Sequence, residues 1–221
     1  MDTFVPLKFL AQMALPPASL AVGLVVAGVF ALMGLRRLAR LVVVLAIAEL
    51  LLLSPSFLVP CLTHNGIKVW DTLAIAEYLA EQFPQAGLLP RDAAARTHCR
   101  SIAGEMHSGF SNLRSALPMN LKAHYKGFKI WAAAQADIDR VIVIWRECLG
   151  KYGGPYLFGE TPCLADAMYA PVTTRFTTYD VKLDRQCADY CETIQALPDM
   201  IEWIEAAKIE RTGIEELEAE F

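Results

Sequence analysis

The sequence predicts an α/β segment followed by an all-helical domain. Three observations carry this reading: an Asn65-Gly66 turn between two short apolar runs, a helix that can be capped directly after the second run, and helical periodicity from about residue 93 almost to the C-terminus. A chain of 221 residues, 55% of them hydrophobic, can bury one large core or two smaller ones without a metal or crosslinks.

Each element has a local reason. Residues 58–62 read as a short strand, His64-Asn65-Gly66 as a hairpin turn whose Asn-Gly pair favours positive φ, and residues 67–70 as the partner strand. Asp71 then caps a helix over residues 72–83, where Leu73, Ala76, Leu79 and Phe83 repeat along one face, and Pro84 ends it. Residues 85–92 form a Gly/Pro-containing connection. Beyond it the reading is one long helix over residues 93–117, stopped by Pro118. A second covers 130–149, with Ile138, Val141, Ile142, Trp145 and Leu149 on one face. Gly153-Gly154-Pro155 breaks the pattern, and further helices cover 164–179, 185–196 and 198–207. Trp145, Phe158, Tyr169 and Trp203 are the expected core anchors, because aromatic side chains bury the largest areas. The acidic tail from Glu210 is expected to fray.

Composition excludes several classes of function. The 20 Lys+Arg against 24 Asp+Glu form no basic stripe that could track a phosphate backbone, so nucleic acid is not an expected partner. Six cysteines fall in no CxxC pair and read as free thiols of a reducing, cytoplasmic compartment. His64, His98, His107 and His124 have no Cys or carboxylate at ligand spacing, so no metal site is expected. Cys187 and Cys191, at i and i+4, read as apolar packing.

Residues 1–53 have a different texture. Lys8, Arg36, Arg37 and Arg40 against Asp2 and Glu49 make them net +2, which leaves −6 for the rest of a chain of formal charge −4. Residues 9–35 carry no charge and meet the length rule for a membrane span, with Arg36, Arg37 and Arg40 on the cytoplasmic side. Near-continuous Val/Leu runs are equally normal in a buried α/β layer, and both readings stay open. Gly23 and Gly28 have P-loop spacing but lack the Lys-Ser/Thr that binds nucleotide. The abrupt change near Ser54 also fits a coding segment read in another frame.

The order of elements and several motifs point to a family. Ser54-Pro55-Ser56, Val59-Pro60, the run from Trp70-Asp71-Thr72 to Tyr78-Leu79, the segment from Glu105 to Phe110 and that from Ala165 to Pro171 resemble bacterial cytosolic glutathione transferases of the serine type. The resemblance covers the chain from about Ser54 onward. It implies a thioredoxin-like N-terminal domain over residues 1–84, atypical and hydrophobic in 1–53, and an all-helical C-terminal domain over residues 93–221.

The resemblance also implies a reaction and its residues. Glutathione is the expected co-substrate and a small apolar electrophile its partner, in a homodimer. Val59, before a cis Pro60, would pair with the cysteinyl backbone of glutathione, and Asp71 and Thr72 would offer a helix N-terminus to its γ-glutamyl carboxylate. His107, Phe110, Arg114, Tyr169 and Arg175 would line the substrate groove. Asp166 resembles the aspartate of a capping box, with Cys163 where the family has Ser or Thr and with Thr161 nearby. The family's serine-rich turn after the first strand is missing. Ser19, the sole hydroxyl between Thr3 and Ser54, is the candidate thiol activator in its place. The alternative is a non-catalytic binding or interaction protein with a divergent, membrane-associated N-terminus.

Overall fold

The computed structural model describes residues 60–210. The chain divides into two compact units that part between Ile75 and Ala76. The first unit holds a two-stranded antiparallel hairpin, β1 (Cys61–His64) and β2 (Ile67–Trp70), and the start of helix α1 (Thr72–Gln82). Cys61 pairs with Trp70 and His64 with Ile67, so two residues, Asn65 and Gly66, make the turn. Their φ values of 50° and 78° are the left-handed pair that a two-residue hairpin requires. Strand β1 extends to His64, two residues beyond the expected end. Twist matching at this turn keeps the ladder paired right up to it.

The second unit is helical: α2 (Ala93–Ser108), α3 (Ser111–Ala116), α4 (Ala132–Tyr152), α5 (Leu164–Thr178), α6 (Arg185–Gln195) and α7 (Pro198–Ile209), after a short 3-10 turn at Pro84–Ala86. Asp92 caps α2 by accepting from the Ala95 N–H at 2.8 Å, and Asp184 caps α6 by accepting from the Cys187 N–H at 3.1 Å.

The single helix expected over 93–117 is two helices. Gly109 is extended and Phe110 sits at φ 57°, so the chain turns between α2 and α3. Burial of the Phe110 ring holds that left-handed conformation, which no residue-type pattern announces. The break after α4 follows the expected glycines. Gly153 takes the left-handed C-cap at φ 68°, and a Cβ on Gly154 would fall 1.8 Å from the carbonyl oxygen of Gly159.

The core lies between α2, α4, α5 and α6. Trp145 is fully buried and meets the rings of Tyr169, Phe176 and Tyr190 at 6.0, 5.4 and 4.8 Å. Phe158 packs at the core's edge, stacked on Tyr152 at 4.6 Å. Trp203 does not belong to the core: it is 40% exposed on α7, which buries none of its residues. Apolar residues surround α7 instead of lining one stripe, so the helix has no single face to bury. Cys187 and Cys191 are both buried, in keeping with a packing role.

Asp166 organises the start of α5. It is 1% exposed; its Oδ2 accepts from the Cys163 N–H at 2.8 Å, and its Oδ1 from the Leu157 N–H at 3.0 Å and the Tyr190 hydroxyl at 3.1 Å. The capping box therefore forms with Cys163 as its N-cap, the sulfur standing where a hydroxyl would. Thr161 is not the cap. Three donors compensate the cost of burying a carboxylate.

Candidate active site

The hairpin register gathers the expected glutathione residues at one end. With Cys61 opposite Trp70, the chain enters from Pro60 and leaves to Asp71 on adjacent strands. Asp71 adopts φ 74°, a conformation that Asp tolerates better than most residues. Its Oδ1 accepts from the Leu73 N–H at 2.9 Å and the Ala74 N–H at 3.2 Å, while its carbonyl accepts from the Ile75 N–H at 2.9 Å. Asp71 is thus the N-cap of α1. Two of the first backbone donors are engaged by this side chain, so an incoming carboxylate would meet Thr72, through its N–H and hydroxyl, at the positive end of the helix. Val59, the Val59–Pro60 peptide bond and Ser19 lie outside the described residues, as do residues 9–35.

In the helical unit, two arginines bind helix ends, Arg114 at the end of α2 and Arg175 at the end of α3. Arg114 on α3 turns back so that its Nη2 donates to the carbonyl of Met106 and to that of His107 at 3.2 Å, where the last carbonyls of α2 favour a cation. Arg175 on α5 donates from Nε to the Leu117 carbonyl at 2.9 Å. Burial, and then the charge of Arg114, lower the Arg175 pKa. His107 is half-buried in the last turn of α2.

The remaining two groove candidates face inward. Phe110 is 7% exposed. Tyr169 is fully buried, with its hydroxyl donating to the Ile102 carbonyl at 3.3 Å and burial raising its pKa. The structure therefore joins Arg114 to the backbone of His107, sets Arg175 at the end of α3, and assigns the side chains of Phe110 and Tyr169 to the core. The acceptors on Met106, His107 and Leu117 have no sequence signature, because they are main-chain carbonyls at the ends of α2 and α3. Among the described residues no group of His, Cys, Asp and Glu is arranged to hold a metal, and no helix is long and apolar enough to cross a membrane.

A hairpin leading into a capped helix, and a helical unit whose helix α5 starts at a buried Asp capping box, are the features the comparisons with known proteins share. The glutathione S-transferase C-terminal domain family matches residues 128–206. The chain is 32% identical over 124 residues to glutathione S-transferase 1 of Dianthus caryophyllus, covering 56% of each chain. It is 27% identical over 132 residues to a probable maleylacetoacetate isomerase of Caenorhabditis elegans, covering 59% of this chain and 61% of that one. It thus spans less than two thirds of the length of these relatives.

Among solved structures, it matches a bacterial maleyl pyruvate isomerase, a glutathione S-transferase of the Zeta class, at 25% identity and TM-score 0.55, over 76% of this chain and 85% of that one. A Burkholderia glutathione transferase homologue with bound glutathione matches at 22% identity and TM-score 0.54, over 72% and 77%. Residues 128–206 thus match a glutathione S-transferase C-terminal domain, and the fold class is that of the solved transferases, a thioredoxin-like N-terminal region followed by an all-helical C-terminal domain.

Proposed function

We propose that this protein is a glutathione-dependent enzyme that directs the glutathione thiolate onto a small electrophile. The observation that supports the reading is the hairpin register, in which Cys61 pairs with Trp70, so that Pro60 precedes one strand and the Asp71-capped start of α1 follows the other at the same end of the ladder. Backbone pairing at Val59 would hold the tripeptide as an added strand, and Thr72 would take its γ-glutamyl carboxylate. Conjugation forms a carbon–sulfur bond as the leaving group departs with its electron pair. The thiol proton goes to solvent. His107 would stand beside the electrophile. The domain partition at residues 84 and 93, a homodimer and a cytoplasmic location belong to the same proposal. Retention on glutathione-agarose together with conjugation of a chloronitrobenzene tests it. Retention without turnover would leave only a binding protein, and neither would overturn the reading.

A second reading is favoured by Arg114 and Arg175, two cations whose charges act on one another. Guanidiniums suit an electrophile that carries a carboxylate, and several relatives are named maleylacetoacetate or maleylpyruvate isomerases. Reversible addition of the thiolate to a cis-alkene, rotation and elimination would return glutathione unchanged. Glutathione-dependent isomerisation of a maleyl substrate, lost in Arg175→Met while chloronitrobenzene conjugation persists, separates the two.

A further inference from the structure

Cys99 and Cys163 come from different elements and meet sulfur to sulfur. Cys99 is fully buried on α2, Cys163 is the half-buried N-cap of α5, and their Sγ atoms are 3.8 Å apart. Cys163 also lines an open cavity of about 730 Å³, walled by Leu89, Arg91, Tyr152, Phe158 and Pro162. Cys163 is therefore the half-buried, cavity-lining member of the pair, and Cys99 the fully buried one. This is the arrangement of a reacting thiol with a resolving thiol.

We propose that Cys163 and Cys99 form a peroxide-responsive thiol pair, in which Cys163 is oxidised first and Cys99 resolves it to a disulfide joining α2 to the start of α5. The co-reactant is a peroxide. In the first step the Cys163 sulfur attacks a peroxide oxygen: an S–O bond forms, the O–O bond breaks, and the leaving hydroxide departs with the thiol proton as water. Sulfur loses two electrons and the peroxide gains them. In the second step the Cys99 sulfur attacks the Cys163 sulfur: the S–S bond forms, the S–O bond breaks, and the second hydroxide leaves as water with the Cys99 proton. Two thiols and one hydrogen peroxide give one disulfide and two waters.

The two thiols act as one coupled pair. Their mutual hydrogen bond lowers the Cys99 pKa and raises that of Cys163; the Ala165 N–H favours a thiolate at either sulfur, while burial and Asp166 oppose it. The geometry carries the pairing: the two Sγ atoms, 3.8 Å apart, have only to close to the bonded separation of about 2 Å. Cys148, Cys187 and Cys191 are buried, and burial pushes their thiols up to about 12.

The test is independent of the glutathione reading. The full chain is treated with stoichiometric hydrogen peroxide, its remaining thiols are alkylated, and the digest is mapped by mass spectrometry. The expected result is loss of two of the six alkylatable thiols, a linked pair of peptides bearing Cys99 and Cys163, and recovery with dithiothreitol. Cys99→Ser should instead accumulate a sulfenic acid on Cys163 that dimedone traps. If that variant does not fold, the wild-type map decides alone. Six intact thiols, a link between other cysteines, or oxidation of Cys163 without a link to Cys99 would overturn the proposal.

Discussion

The Tyr190 hydroxyl on α6 donates to the Asp166 Oδ1 on α5 at 3.1 Å, with both side chains buried. The same carboxylate receives the N–H groups of Leu157 and Cys163, so one side chain ties together α5, α6 and the loop after α4. Asp166→Ala would strand three buried donors and is expected to cost about 3–5 kcal/mol. Tyr190→Phe removes one donor and keeps the ring packed on Trp145, at about 1 kcal/mol. Urea unfolding of both variants checks the ranking; equal losses would show that packing, not the carboxylate, sets the stability of this junction.

Alkaline pH should weaken the helical unit. Cys148, Cys187 and Cys191 stay protonated in the folded chain to about 12, chiefly because burial disfavours the thiolate. Unfolded thiols ionise from about pH 8.5, so the unfolded state holds fewer protons in between and is favoured as pH rises. The contribution is fully present below that pH. It declines by about 1.4 kcal/mol per pH unit per thiol up to the folded value. Cys148→Ala is less stable at neutral pH because it leaves a cavity, but its stability should fall less steeply between roughly pH 8.5 and 10.5. Denaturant midpoints measured across that range provide the comparison.

At the hairpin end, Asp71 and Thr72 have separable roles. Asp71→Asn retains an acceptor for the Leu73 and Ala74 N–H groups and a residue type tolerant of φ 74°, so α1 should keep its stability. Asp71→Ala loses the cap, at about 1 kcal/mol. Thr72→Val leaves the cap intact and removes one ligand hydroxyl, so glutathione affinity should fall roughly tenfold. Titration calorimetry with glutathione measures this, and an unchanged Kd in Thr72→Val would remove Thr72 from the site.

Turnover should be weak, and Ser19→Ala should change it little. Ser19 stands in an apolar run with no neighbouring group in sequence to aim its hydroxyl at a sulfur, so the bound thiol is expected to keep a near-solution pKa, with only a few per cent thiolate at pH 7. The pH profile of conjugation for the two proteins is the check. A wild-type pKa below about 7 that rises in the variant would make Ser19 the activator.

Local chemistry determined much of this protein in sequence alone. The Asn65-Gly66 turn, the Asp71 cap, the Pro84 stop and the Gly153 break each depend on a residue's own backbone preference or side-chain reach, and each stands where the residues predict. The register of a two-residue hairpin then follows, with Cys61 opposite Trp70. Tertiary packing decided the rest. Phe110 is left-handed because its ring is buried, Trp203 is exposed because α7 offers no single apolar face, and Tyr169 serves the core beside Trp145. Asp166 with Tyr190 and Cys99 with Cys163 are long-range encounters. No local propensity encodes them; they arise only when α2, α4, α5 and α6 bury their apolar faces against one another, which fixes the polar and thiol groups those faces carry at contact distance.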